Sequence, residues 1–111
     1  TVASATAILI KDGKNLKAAA TGDGPINALF NAIDAITHYP VKQERYQINA
    51  ITAGTDAMGE VHIVVNHEGI ITSGHGSSTD IIHASAKAYI DAINKSIRRK
   101  ELQQVLIEDK I

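Results

Sequence analysis

The sequence predicts an α+β fold in which a strand–strand–helix unit occurs twice. Residues 33–36 and 90–93 repeat the tetrapeptide Ile-Asp-Ala-Ile within stretches whose apolar residues recur with helical spacing. Each stretch follows a Gly-x-Gly segment, at 22–24 and at 74–76, and a hairpin bend that ends in glycine lies further upstream. Because strands precede each helix in runs, antiparallel strands packed on two helices are favoured over a doubly wound parallel sheet.

The length of the chain indicates a single domain, and the repeated unit divides it into pseudo-repeats at about 1–40 and 41–100 with a tail at 101–111. The 111 residues are 44% hydrophobic but only 4% aromatic, so we expect a thin core, for which dimerisation is a common remedy. The net charge of −1 gives no general attraction to nucleic acids or anionic membranes. The absence of Cys excludes disulfides and thiol nucleophiles.

The sequence shows neither of two patterns that would direct a chain to or across a membrane. No signal-peptide pattern and no apolar run of membrane-spanning length is found. We therefore expect a cytoplasmic protein. Because Thr1 is not a natural start, we also expect the chain to be part of a longer polypeptide.

The first half of the chain is predicted to form a hairpin followed by a helix. Residues 4–10 and 16–21 are the two strands, because Asp-Gly at 12–13 is a strong hairpin-turn signal. The helix should begin at Gly-Pro (24–25), since proline is well suited to the first helical position, and end at 38–40 before the next proline. Its predicted apolar face consists of Leu29, Ala32, Ile33 and Ile36.

The second half is predicted to begin with three extended segments. Residues 41–45 are interpreted as a polar connection, 46–50 as a half-buried strand and 55–59 as a turn or bulge. Residues 60–65 alternate between apolar and more polar side chains, as a strand does. Residues 70–73 should then return to the second Gly-x-Gly turn.

The second helix is predicted to begin near residues 78–80, whose hydroxyl and carboxylate side chains suit a helix start. Asp91 and Lys95 are expected on its exposed face, and the basic residues 98–100 favour its C-terminal end. Whether residues 101–111 extend the helix is left open. The buried stripe is predicted to consist of Ile82, Ala86, Tyr89, Ile90, Ile93 and Ile97.

The Gly-x-Gly segments are the strongest candidates for a ligand site. A glycine turn before a helix places backbone N–H groups and the positive end of the helix dipole around one point, which suits a carboxylate. Alternatively, the glycines only permit a tight turn, and both interpretations stay open. Neither segment is a dinucleotide fingerprint, because the third glycine and the acidic ribose-binding residue are missing, and no P-loop pattern is present.

Histidines and acidic residues give little support for catalysis or for a metal site. We expect His62 and His67 on opposite faces of a strand, and only His75, between two glycines, stands where a ligand is expected. Asp23 either holds an ammonium group or hydrogen-bonds its own turn, and the second role is favoured. No catalytic residue and no metal ligand is assigned. The five histidines, expected to be surface or structural, are His38, His62, His67, His75 and His83.

Three blocks of the sequence together resemble the C-terminal regulatory domain of 2-isopropylmalate synthase. They are residues 20–30 (ATGDGPINALF), 55–61 (TDAMGEV) and 74–89 (GHGSSTDIIHASAKAY). The blocks occur in the family's order and extend over nearly the whole chain, so the combination is specific although each block alone is weak.

The resemblance implies a duplicated βββα domain that forms a homodimer and binds leucine at the dimer interface. Binding would inhibit a catalytic barrel of the same polypeptide, which condenses acetyl-CoA with 2-oxoisovalerate using a divalent metal. This segment would therefore contain no cofactor of its own. Citramalate synthase carries a similar domain that responds to isoleucine, which makes isoleucine the alternative effector.

The resemblance also implies an effector site. A branched-chain amino acid needs N–H donors for its carboxylate, an acceptor for its ammonium group and a small apolar pocket. Leucine and isoleucine differ in one methyl position, worth only about 1–3 kcal/mol, so the choice stays open. Asn27 departs from the family, since some relatives carry a small apolar residue there. The implied site residues are Gly22, Asp23, Gly24, Pro25, Ile26, Asn27, Ala28, Tyr46, Ile48, Ala50, Ala57, Gly59, Gly76, Ser77, Ser78 and Thr79.

Three other functions are retained as alternatives. The first is a dimerisation module without ligand binding. The second is an enzyme that uses His75 and Asp23, and the third is an RNA-binding domain. The net charge and the single Phe disfavour the last of these.

Overall fold

The computed structural model describes residues 2–50 and 58–108 and confirms the predicted α+β class. Within these ranges, two helices accompany two antiparallel sheets, one of two strands and one of three. The chain divides into two compact units, Thr1–Pro40 and Val41–Ile111, each of which is described by itself. In chain order the elements are β1 (Ala3–Lys11), β2 (Lys14–Gly22), α1 (Pro25–Thr37), β3 (Lys42–Ala50), β4 (Gly59–His67), β5 (Ile70–Ser78) and α2 (Ile81–Glu108).

The first unit is a hairpin with a helix on one face. β1 and β2 pair antiparallel in an uninterrupted register that sets Ala7 opposite Ala18. Asp12 and Gly13 at the bend have positive φ angles of 52° and 75°, the conformation that a two-residue type I′ turn requires. The predicted hairpin is confirmed, and each strand is somewhat longer than predicted.

Helix α1 begins and ends where its sequence signals predicted. Pro25 opens the helix directly after Gly24. At the other end His38 adopts φ 51° and donates its backbone N–H to the carbonyl oxygen of Asp34 at 3.0 Å, which closes the last turn. The predicted apolar face is correct except that Ile36 is only partly buried. The buried residues are Ala28, Leu29, Phe30, Ala32 and Ile33.

The second unit contains a three-stranded antiparallel sheet in the order β3-β4-β5. In the central strand β4, Val61, Ile63 and Val65 are fully buried on the face that packs against α2. The intervening residues lie on the opposite face and are partly exposed. The predicted strand at 60–65 is confirmed.

Strand β3 begins at Lys42, so the prediction of a polar connection at 41–45 is wrong. β3 is an edge strand whose first residues are exposed, and such a strand needs little apolar sequence. A register shift between Gln43 and Arg45 also interrupts the alternation from which a strand is recognised. Of the turn predicted at 55–59, residues 55–57 lie outside the described residues.

Gly74 and Gly76 lie inside β5, so the predicted second Gly-x-Gly turn is wrong. A Cβ atom added at Gly74 would lie 2.0 Å from the carbonyl oxygen of Ala88, and one at Gly76 would lie 2.3 Å from that of Ala84. The glycines therefore let the backbone of α2 approach the strand closely. The same Gly-x-Gly sequence suits either a turn or close packing against a helix, so the sequence alone does not distinguish the two.

Helix α2 packs through a face of small residues. The predicted stripe is only partly correct, because Tyr89 and Ile93 are buried whereas Ile82 is 41% exposed. Because α2 lies close to the two glycines of β5, its alanines face the sheet. Larger side chains such as that of Ile82 lie to the side of this contact. The buried residues are Ala84, Ser85, Ala88, Tyr89, Ala92, Ile93 and Ser96.

Helix α2 starts close to its predicted start and continues beyond its predicted C-terminal end. The helix begins at Ile81, as predicted, but it continues through the basic residues 98–100 to Glu108, so these cations do not mark its end. Residues 109–111 lie outside the described residues. Among residues 2–50 and 58–108, no helix combines the length and the apolar character needed to cross a bilayer.

Candidate functional site

The segment between β2 and α1 is held by two asparagine side chains. Asn27 Oδ1 accepts a hydrogen bond from the backbone N–H of Asp23 at 3.0 Å, and Asn31 Nδ2 donates to the carbonyl oxygen of Thr21 at 3.0 Å. A Cβ atom at Gly22 would lie 2.4 Å from Asn27 Oδ1. Glycine is therefore required at 22 for the turn to close, and Asn27, the departure from the family pattern, has a clear structural role.

The first turn of α1 leaves backbone donors available. Gly24 is the N-cap residue, but it has no side chain to accept a hydrogen bond, and its carbonyl accepts one from Ala28 N at 2.9 Å. Within the described residues, the backbone N–H groups of Ile26 and Asn27 have no hydrogen-bond partner. These donors, together with the helix dipole, can bind an anion. Ala28, by contrast, is fully buried in the core.

The predicted strand residues lie in neighbouring rows of the second sheet. Ile48 pairs with Val61, which pairs with Gly76, and in the next row Gly59 stands between Ala50 and Ser78. Ile48 is 50% exposed although its row lies on the face that packs against α2. The structure thus brings five of the predicted site residues together at one end of this sheet.

Tyr46 lies further along the same face of β3. Its hydroxyl is 2.6 Å from Ser85 Oγ. Ser85 Oγ already donates to the carbonyl oxygen of Ile81 at 2.8 Å. Since a serine hydroxyl has a single proton, Tyr46 is the donor in its bond to Ser85. This bond ties the edge strand to α2.

Two side chains that precede α2 accept hydrogen bonds from backbone N–H groups near its start. Asp80 Oδ1 accepts from the backbone N–H of Ile82 at 2.9 Å, and Ser78 Oγ accepts from that of Asp80 at 3.2 Å. Ser77 lies on the sheet face opposite α2, and Thr79 is exposed in the short connection. The second Gly-x-Gly segment does not itself form this helix start, because both of its glycines lie inside β5. Ala57 lies outside the described residues.

Glu60, His62 and His75 form a cluster that was not predicted from the sequence. His62 and His75 are direct partners across β4 and β5, and both Nε2 atoms contact Glu60 Oε1, that of His75 at 2.9 Å. The hydrogen bond from His62 has the largest effect and, with that from His75, lowers the pKa of Glu60 below its usual value. The Glu-x-His spacing is visible in the sequence, but the turn predicted at 74–76 places His75 outside a strand.

Comparison with known proteins identifies one family model along most of the chain. The model described as the LeuA allosteric (dimerisation) domain matches residues 1–97. The match extends over both units.

Curated relatives agree with this match. A 2-isopropylmalate synthase of Carboxydothermus hydrogenoformans is 52% identical over 95 residues, which are 85% of this chain and 19% of the relative. Enzymes of the same name from Ruminiclostridium cellulolyticum and Halalkalibacterium halodurans are 45% and 38% identical over 96 residues, which are 86% of this chain and 19% of each relative. The chain thus spans about a fifth of the length of these relatives, 19% in each case.

Proposed function

The chain belongs to the family of LeuA allosteric (dimerisation) domains, and on that premise we propose that it binds leucine for feedback inhibition of a 2-isopropylmalate synthase. The observation that carries the proposal is the family match over residues 1–97. Catalysis would belong to the remainder of a longer cytoplasmic polypeptide, an acyltransferase barrel that uses acetyl-CoA and a divalent metal.

The start of α1 supports a role in binding the effector's carboxylate. The N–H groups of Ile26 and Asn27 lack partners within the described residues, and Gly24 has no side chain to obstruct an approaching anion. Charge-assisted hydrogen bonds of this kind are stronger than bonds between neutral groups. The proposal assigns the carboxylate to residues 22–28 and the ammonium group to Asp23 or a backbone carbonyl.

The second unit supports an apolar contact. Ile48 exposes half of its surface on the edge strand β3, in the row that Val61 and Gly76 continue. A half-exposed branched side chain suits an apolar contact with the isobutyl group of a ligand. The proposal includes Tyr46 and Ala50 in this region, and Ser77, Ser78 and Thr79 at its border.

Exposed apolar side chains support a homodimer. In the first unit Ile8 and Ile10 are 59% and 76% exposed on β1. In the second unit Leu102, Val105 and Leu106 are each more than half exposed on the last turns of α2. Such residues are costly in water and are typical of surfaces that a partner covers.

A thermal-shift titration with leucine, isoleucine and valine tests the proposal. A ligand present at a hundred times its dissociation constant stabilises the folded state by about 2.7 kcal/mol. We expect leucine to raise Tm at lower concentrations than the other two. D-Leucine is the matched control, since it has the same composition and charge but the opposite placement of its ammonium group.

Each other outcome has a distinct meaning. Tighter binding of isoleucine would favour the effector of citramalate synthase. The absence of a shift with any of the three amino acids, in a chain shown to be folded, would leave a dimerisation module without ligand binding.

A further inference from the structure

One face of the second sheet, opposite α2, carries three adjoining metal-binding side chains. Glu60 and His62 are two residues apart on β4 and therefore share this face. His75 on β5 is the direct cross-strand partner of His62, and the two ring centroids are 4.7 Å apart. Three side chains from two paired strands thus converge.

We propose that Glu60, His62 and His75 bind one divalent transition-metal ion. One nitrogen or oxygen donor atom from each residue lies within 4.8 Å of the other two. Tetrahedral zinc holds such ligands at about 2.0–2.2 Å, which places the donor atoms about 3.4 Å apart. The three side chains are 25%, 43% and 46% exposed, so small side-chain rotations reach this spacing while the strands stay in place.

The donor set selects the kind of metal. Two imidazole nitrogens and one carboxylate oxygen suit zinc, nickel or copper, whereas magnesium and calcium prefer oxygen ligands alone. Both Nε2 atoms now approach the same oxygen, Glu60 Oε1. A metal ion would replace these hydrogen bonds, with each imidazole carrying its remaining proton on Nδ1. Three protein ligands leave a fourth position for water.

The backbone beneath the cluster is well fixed. β4 is the central strand, and its register with β5 is regular from Gly59 to His67. The backbone N–H of His75 is held by the carboxylate of Asp91 at 3.0 Å. A site on paired strands keeps its ligands closer to the required geometry than a site on a loop. None of the three residues belongs to the proposed leucine site.

Isothermal titration calorimetry with zinc chloride tests the proposal. The whole 111-residue chain is used without a polyhistidine tag, after dialysis against a chelator. We expect saturation at one ion per chain, and we expect His62→Gln and His75→Gln each to weaken binding at least about tenfold, since even indirect ligand support contributes that much. Glu60→Gln should also weaken it. His83→Gln, which alters an exposed histidine outside the cluster, is the matched control and should leave the affinity unchanged.

A second measurement on the unaltered chain removes any dependence on how the variants fold. In NMR spectra, zinc should shift the ring signals of His62 and His75 and leave those of His38 and His83 in place. The proposal is overturned if no saturable binding occurs, if the two glutamine variants bind as the unaltered chain does, or if His83→Gln causes an equal loss.

Discussion

The backbone N–H of His75 donates a hydrogen bond to the carboxylate of Asp91, with 3.0 Å between N and Oδ2. This hydrogen bond is one of a series along α2 and β5. Side chains four residues apart on α2 form hydrogen bonds with backbone groups two residues apart on β5. Four helical residues rise about 6 Å and two strand residues about 6.7 Å, so the spacings match. The other contacts are Lys87 Nζ to Ser77 O, Lys95 Nζ to Ser73 O and Arg99 Nη1 to Ile71 O. Side chains of the helix thereby bind backbone groups along the edge of β5 that, among the described residues, pairs with no strand.

Asp91→Asn should reduce stability near neutral pH but not in acid. Burial raises the pKa of Asp91, but hydrogen bonds from Lys95 and from the amide of His75 outweigh it and hold the pKa below its usual value. A lowered folded-state pKa gives stability that is present above the unfolded value of about 3.9 and is lost as the pH falls through the folded value. The asparagine retains a hydrogen-bond acceptor, so only the charge is removed.

Urea unfolding of both proteins at pH 6 and pH 3 measures this effect. Because the ion pair with Lys95 is partly exposed, we expect a difference of about 0.3–0.5 kcal/mol at pH 6 that shrinks toward pH 3. Acid destabilisation from other carboxylates, Glu60 included, affects both proteins alike. A difference that is constant with pH would show that the charge of Asp91 does not stabilise the strand edge.

Gly74→Ala should destabilise the second unit strongly. The new Cβ atom would lie 2.0 Å from the carbonyl oxygen of Ala88 and 2.5 Å from the backbone nitrogen of Ala92, and neither backbone atom can move without shifting α2. Overpacking of this kind costs about 1–3 kcal/mol, or a Tm decrease of roughly 5–20 °C for a domain of this size. Ser73→Ala, at the exposed neighbouring position, should change Tm by only a few degrees. Equal Tm values for the two variants would contradict the close approach of strand and helix.

Tyr46→Phe should cost about 1 kcal/mol, the contribution of an ordinary hydrogen bond. The lost bond is the one that Tyr46 donates to Ser85 Oγ. Ser85→Ala removes the same bond from the other side, so the double variant should lose less than the sum of the single variants. Chemical denaturation of all four proteins gives the coupling energy. Strict additivity would show that the two hydroxyl groups do not stabilise each other.

Local signals determined much of the fold. The hairpin at Asp12 and Gly13 and the start of α1 at Pro25 depend on backbone preferences of the residues themselves, and the sequence was sufficient to predict them. The turn predicted at Gly74 is wrong because the need for glycine comes from Ala88 and Ala92 of α2, which lie 14 and 18 residues further along the chain. The approach of His62 to His75 depends on strand register, which is a property of the folded sheet and leaves no local signal.

Gly24→Ala and Gly22→Ala should separate ligand binding from folding. Gly24 has φ −156° and ψ 175°, an extended conformation that any residue adopts, and an added Cβ atom would meet nothing within 4 Å. The substitution should therefore lower Tm by only a few degrees. Its methyl group, although more than 4 Å from the backbone nitrogens of Ile26 and Asn27, would nevertheless occupy open space at the start of α1, where the carboxylate is proposed to bind. We expect leucine affinity to fall at least about tenfold, which corresponds to 1.4 kcal/mol.

Gly22→Ala is the contrasting variant. Its Cβ atom would lie 2.4 Å from Asn27 Oδ1 and 2.5 Å from the backbone nitrogen of Ala28, so the turn itself has to open and the first unit should lose stability together with any ligand affinity. Calorimetric titration with leucine and thermal melting are performed on both variants. If Gly24→Ala keeps full affinity, the carboxylate does not bind at the start of α1. If Gly24→Ala loses leucine affinity only to the extent that it loses stability, Gly24 serves the turn alone. A residue at the binding site would instead lower leucine affinity in a domain that remains folded.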